Sequence, residues 1–401
     1  MRLLLGGVPF GCDNVGDEAI LECAVGIVRE VCPEVSLTVS TRNTQGTARK
    51  LGVETCGLLG FFNEVSHAET RDIIARHDVF IWCGATGLSD YPERTLGLLR
   101  LAHKARKRTI IWGVGMNSEL NPALYRVPPG RRRRLLNVLT GVTGGTLDFV
   151  RLQETHWDKR ARRRIACQLN QANLVVVRDP ESREELARCG VGREIIVGAD
   201  SALVLKPISL DDIQLAHEVR EALLSGRPRI GICISAQREV RQRKELIEYL
   251  DWVLSQTDAC IFCIPMNPLT DAAIMAQMAL DTASPDRVVV VSGRQEPGAI
   301  LAVTSAMDLV ISSRLHLLMF ASIFHVPIVG IARGAKVESF LKPFGLRAAG
   351  DVENCDFEFL RHETLRLLEH KDAFQRPSEE ARKELLSRLE HAKAALHTAL
   401  A

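Results

Sequence analysis

The sequence predicts an α/β chain built from two doubly wound parallel-sheet domains. Three observations carry that prediction: a length of 401 residues, a composition that is 46% hydrophobic and 25% charged, and short apolar runs that alternate with helical patterns in two separate series. Length and balance of this kind belong to ordinary globular proteins and favour two domains over one. Alternation of strand and helix means parallel strands joined by helical crossovers.

The first series places strands at residues 3–6, 36–40, 79–83, 109–114, 174–177 and 194–197. Residues 205–228, with Lys206-Pro207 and Gly226-Arg227-Pro228, break the rhythm. A second series follows at 229–235, 260–265, 287–291, 309–312 and 328–331. The expected division is a Rossmann-like domain over 1–205, a second over 206–357, and closing helices over 358–401. Two such domains facing each other would form a cleft at the carboxyl ends of both sheets, where open α/β folds bind ligands. This arrangement is similar to the GT-B architecture, in which the last helix often crosses back onto the first domain.

Charge is uneven along the chain. Residues 121–165 hold eleven Arg or Lys against Asp148, Glu154 and Asp158, a local +8 within a formal net charge of +2. An anionic partner is expected to meet this segment. Its clusters at 131–134 and 159–164 suit anionic lipid head groups or a pyrophosphate-linked acceptor, giving peripheral membrane contact, and read equally as solvated helix faces. Trp157 is the only aromatic residue in 151–165, which argues against nucleic-acid binding.

The N-terminal apolar stretch is too short for a signal peptide, so the mature chain is expected to start at Met1 and to stay in the cytoplasm. The longest apolar run, 315–332, is interrupted by His316, His325 and Pro327 and reads as a buried helix, a turn and a strand. Eleven cysteines, an odd number without paired spacing, read as reduced core thiols. Cys260 and Cys263 lie on a strand pattern that sends them to opposite faces, against a zinc or redox role. No metal site is expected.

After the first strand, Gly6-Gly7 leads through Gly11 to Asn14-Val15-Gly16-Asp17-Glu18, a glycine-bearing loop that opens an amphipathic helix. Free N–H groups at such a helix start suit an anion or a sugar hydroxyl. Asp17 and Glu18 equally make an ordinary acidic first turn.

The segment Asn14-Val15-Gly16-Asp17-Glu18-Ala19-Ile20-Leu21 resembles the N-terminal signature of the polysaccharide pyruvyl transferases, and Ser313-Arg314-Leu315-His316 resembles their R-L-H signature. Between them, Arg178-Asp179-Pro180-Glu181-Ser182 is similar to the family's R-D-x-x-S segment, and Ile264-Pro265-Met266-Asn267 with Asp271 to its Pro-Met segment. Val326-Pro327-Ile328-Val329-Gly330-Ile331 is similar to its V-P-V-x-G strand, so the resemblance covers roughly residues 1–345. One departure stands out: Cys83-Gly84-Ala85-Thr86-Gly87-Leu88-Ser89-Asp90 replaces the usual glycine run and L-L-Q-D.

The resemblance implies transfer of an enolpyruvyl unit from phosphoenolpyruvate to sugar hydroxyls of a glycan or a lipid-linked saccharide. It requires no cofactor beyond that donor substrate. Guanidinium groups bind carboxylate and phosphate with forked hydrogen bonds, so Arg178 and Arg314 are the expected donor clamps, with Lys336 a further phosphate contact. His316 is the expected acid that protonates the methylene carbon. Asn14, Gly16, Asp17, Gly84 and Asp90 are the expected acceptor or anion loops. Two other readings stay open: a GT-B glycosyltransferase using a nucleotide sugar, and a non-catalytic relative that keeps only the fold.

Overall fold

The computed structural model describes residues 1–235 and 240–401. A first sheet contains β1 (Arg2–Gly6), β2 (Ser36–Ser40), β3 (Glu54–Cys56), β4 (Val79–Cys83), β5 (Arg108–Val114), β6 (Leu174–Val177) and β7 (Ile196–Val197). Its order is β3-β2-β1-β4-β5-β6-β7, with parallel pairing throughout. A second parallel sheet contains β8 (Arg229–Cys233), β9 (Cys260–Cys263), β10 (Val288–Val290), β11 (Leu309–Ser312) and β12 (Ile328–Gly330), in the order β10-β9-β8-β11-β12. The central strands are apolar on both faces because helices cover both; every residue of β4, β9 and β11 is buried. The expected fold class, two Rossmann-like doubly wound sheets, is the one observed.

β3 was not expected. Its Glu-Thr-Cys sequence has no apolar run, and it is a three-residue edge strand held by backbone pairing to β2.

The compact units do not follow chain order. One comprises Met1–Pro9, Glu34–Val197 and Ala395–Ala401; the other comprises Phe10–Pro33 and Gly198–Ala394. The helix Val15–Val31, expected within a 1–205 domain, therefore groups with the second unit. Its apolar face packs on the helices Pro297–Ser305 and Leu315–Ile323 and on the 3-10 turn Ser201–Val204. Its first N–H, at Val15, donates to Met266 O at 2.9 Å.

The irregular stretch around residues 121–151 is helical: Pro122–Tyr125, then Arg131–Val142, then the start of Phe149–Leu169. No described helix is long and apolar enough to cross a membrane.

Candidate active site

In the second unit the strand order reverses between β8 and β11, and the crevice beyond such a switch point is where open α/β sheets hold ligands. The loops leaving these two strands are tied together. Ser313 N–H donates to Cys233 O at 2.9 Å, and Ser235 N–H donates to Ser313 Oγ at 2.8 Å. The chain then turns at once into the helix Leu315–Ile323, which carries Arg314 at its cap and His316 in its first turn.

One edge of the Arg314 guanidinium is taken by a protein carboxylate. Its Nε donates to Asp271 Oδ2 at 2.9 Å, its Nη2 to Asp271 Oδ1 at 2.6 Å, and Nη2 also reaches Thr270 Oγ1 at 3.3 Å. Both partners are buried, Asp271 completely. The bidentate geometry expected for donor binding is thus spent on a protein carboxylate. It locks the R-L-H loop to the segment that follows β9, where Asp271 Oδ2 also accepts the Asn267 N–H at 3.1 Å.

His316 is seated against the first turn of the Val15–Val31 helix. A Cβ placed on Gly16 would lie 2.1 Å from His316 Nδ1, so the imidazole occupies the space a side chain would need. On its other side, Nε2 is buried without a hydrogen bond and lies 3.6 Å from Asp200 Oδ2. Asp200 is itself fixed, because its Oδ1 accepts the Ala202 N–H at 3.0 Å and caps the Ser201–Val204 turn.

Asn14 caps the Val15–Val31 helix, its Oδ1 accepting the Gly16 N–H at 3.2 Å while its Nδ2 donates to Asp17 Oδ2 at 2.8 Å. Burial pushes the Asp17 carboxyl above the usual carboxylate range; His316, Lys336 and Arg314 oppose that rise and Asp200 adds to it. The same groups that shift Asp17 define the cluster around it. Glu18 is pushed up to about 7, chiefly by burial, despite accepting the Gly11 N–H at 2.7 Å. Arg333 donates from Nη1 to Ser235 Oγ at 2.6 Å, at the mouth of the β8 loop. Among the described residues no three His, Cys, Asp or Glu side chains converge on a metal position.

Arg178, Gly84 and Asp90 belong to the first unit. Arg178 is buried at the end of β6, with Nε 3.3 Å from Asp179 Oδ2, and a Cβ on Gly115 would fall 2.7 Å from that Nε. Asp179 caps the helix Pro180–Cys189 through the Ser182 N–H at 2.7 Å, and Ser182 Oγ accepts the Met116 N–H at 2.8 Å. Gly84 takes a left-handed φ of 73° directly after β4. Asp90 accepts from Thr86 Oγ1 and closes the altered loop on itself, while its carbonyl accepts Asn121 Nδ2 at 2.9 Å.

The structure therefore joins Asn14, Gly16, Asp17, Arg314, His316 and Lys336 in one cluster within the second unit. It adds Asp200, Asp271, Glu18 and Arg333, which the sequence reading did not assign. Asp271 stood inside a quoted motif and Glu18 inside another. Asp200, directly beyond the last strand of the first series, gave only the signal of an ordinary cap residue.

The two parallel α/β sheets give a fold of the GT-B type. A putative UDP-N-acetylglucosamine 2-epimerase from Listeria monocytogenes superposes with a TM-score of 0.60 at 10% identity, over 97% of this chain and 95% of its own. The MnaA–UDP structure from S. aureus gives 0.62 at 9% identity, over 98% and 96%. A glycosyltransferase from Rickettsia africae gives 0.55 at 12% identity, over 100% and 98%. At such identities the likeness is one of fold. No curated protein matches the sequence. The family pattern described as polysaccharide pyruvyl transferase matches residues 14–334, and the chain belongs to that family. Membership favours pyruvyl transfer over the nucleotide-sugar reading.

Proposed function

We propose that the chain takes its pyruvyl unit from phosphoenolpyruvate and places it as a ketal on two hydroxyls of a glycan or its lipid-linked precursor. A sugar oxygen adds to C2 of the enol phosphate while the methylene carbon takes a proton and becomes a methyl group. The C2–O bond to phosphate then breaks, phosphate leaving with the electron pair, and the second hydroxyl closes the ketal. Of the two hydroxyl protons, one balances the proton given to the methyl group and the other leaves with phosphate.

His316 is the proton donor to the methylene carbon, and Asp200, 3.6 Å from its Nε2, is a positioning residue for the ring. Asp17 receives the proton of the attacking hydroxyl, since a buried carboxylate with a raised pKa is a stronger base than an exposed one. Lys336, Arg333 and the N-terminal amides of the Leu315–Ile323 helix hold the donor anion. Arg314 acts through Asp271, holding the loops in register.

One observation carries this reading: His316 rests on Gly16 with no room for a Cβ, so two signature segments from opposite ends of the chain form one seat. A ligand that binds only the folded state stabilises it, by about 2.7 kcal/mol at a hundredfold excess over Kd. Phosphoenolpyruvate is expected to raise the melting temperature, and glycan-dependent release of phosphate to follow. No shift at millimolar phosphoenolpyruvate, with a shift on UDP-glucose, overturns the donor assignment.

A further inference from the structure

The helix Arg131–Val142 has no buried residue, although five of its twelve residues are Leu or Val. Isolated helices this short are marginal in water, so an exposed apolar face here needs a partner. At 100° per residue the helix carries two stripes. Leu136, Thr140 and the following Thr143 are partly covered and face the Phe149–Leu169 helix, where Thr140 Oγ1 accepts the Phe149 N–H at 3.1 Å. Leu135, Val138, Leu139 and Val142 fall within an arc of about 100° on another side. They are 61%, 62%, 39% and 79% exposed.

Cations frame this second stripe. Arg134 lies beside it in the helical projection and Arg131 within its arc, at the first position of the helix; both are exposed, and their side chains meet no carboxylate among the described residues. Arg132 stacks on Trp157, its guanidinium carbon 4.9 Å from the ring centroid, and joins the basic stripe of the Phe149–Leu169 helix. Arg151, Lys159, Arg160 and Arg163 on that helix are exposed as well.

We infer that this helical hairpin is a docking element that lies in the surface of an anionic lipid bilayer, with Leu135, Val138, Leu139 and Val142 in the acyl boundary and the arginines on lipid phosphates. Apolar residues flanked by Arg on one short helix are the chemistry of an interfacial helix. A second copy of the same face is disfavoured, since four side chains fall far short of the about 800 Å² per partner of a stable interface. The inference stands on the first unit alone and does not depend on the donor assignment.

Flotation of the full chain with vesicles tests it. Capture by phosphatidylcholine mixed with phosphatidylglycerol, weakening as salt rises, is expected, with little capture by phosphatidylcholine alone. The double change Val138→Asp and Leu139→Asp should abolish capture, and Arg131→Ser or Arg134→Ser should weaken it roughly fivefold for each cation removed. These positions are exposed, so both variants should keep the wild-type melting temperature and its response to phosphoenolpyruvate, which separates failure here from failure of the donor reading. Capture that is absent, or equal on both vesicles, or unchanged in the Asp variant, overturns the inference. So does self-association without vesicle capture that the Asp variant removes.

Discussion

Each unit contains a glycine whose missing Cβ makes room for a polar side chain, and the two places are built differently. In the second unit Gly16 leaves room for His316, whose carboxylate neighbours Asp17 and Asp200 come from separate elements. In the first unit Gly115 leaves room for Arg178, whose Nε meets Asp179, the next residue, while Asp179 caps the helix that follows. The imidazole is aligned by groups distant in sequence; the guanidinium is held by its own neighbour and a local cap. Arg314 makes the contrast sharper, because its fork is already filled by a buried carboxylate.

The strongest way to break the comparison is at His316. His316→Gln should lower turnover by about 10² to 10⁴-fold, the range for a general acid, while phosphoenolpyruvate affinity changes much less. Turnover, donor affinity and melting temperature measured on one preparation decide it; near-normal turnover in folded protein removes His316 from the mechanism. Next comes the buried ion pair: Asp271→Asn leaves Arg314 uncompensated and should cost about 3–5 kcal/mol, read as a fall in the urea midpoint. Asp179→Asn, at a half-open and locally capped position, should cost less than half of that.

The two glycines test the seats directly. Gly16→Ala must displace the His316 ring and should lower turnover by about 10²-fold, as small misplacements of catalytic groups do. Gly115→Ala should instead disturb Arg178 and its neighbour Asp179, and show as a fall in the urea midpoint with turnover per folded molecule little changed. Equal kinetic signatures for both would erase the distinction drawn between them.

The smallest effect concerns pH. Glu18, at about 7 in the folded chain against an ordinary 4.5, holds its proton more tightly when folded, so its burial costs stability above about 7 and that cost fades as pH falls toward 4.5. Glu18→Gln should therefore raise the urea midpoint at pH 7 and above relative to wild type. The gain should vanish near 4.5; a gain that is constant with pH would locate the effect elsewhere.

Much of the fold was legible because β4, β9 and β11 are short, wholly apolar runs between helical patterns, and two such series imply two sheets. β3 was not, because an edge strand of Glu-Thr-Cys owes its form to β2 rather than to its own residues. In the site, Asn14 and Asp17 drew a role from the signature segment that holds them. Asp200 and Asp271 did not, because what distinguishes them is the ring and the guanidinium they meet after folding, 43 residues away in the case of Asp271 and Arg314. The same gap hides the Asp271 contact of Arg314: sequence shows a guanidinium, and only the fold shows the carboxylate on its Nε/Nη2 edge.

Neither unit is a continuous stretch of chain, since the first closes with residues 395–401 and the second borrows residues 10–33. A ribosome therefore has to make residues 198–394 before the second unit can close over residues 10–33. The helix Val15–Val31, eleven of whose residues end up buried, emerges early and waits with its apolar side uncovered until the helices Pro297–Ser305 and Leu315–Ile323 have been made. During that interval it is a natural client for chaperones, and the seat that Gly16 shares with His316 forms only once residue 316 has been made.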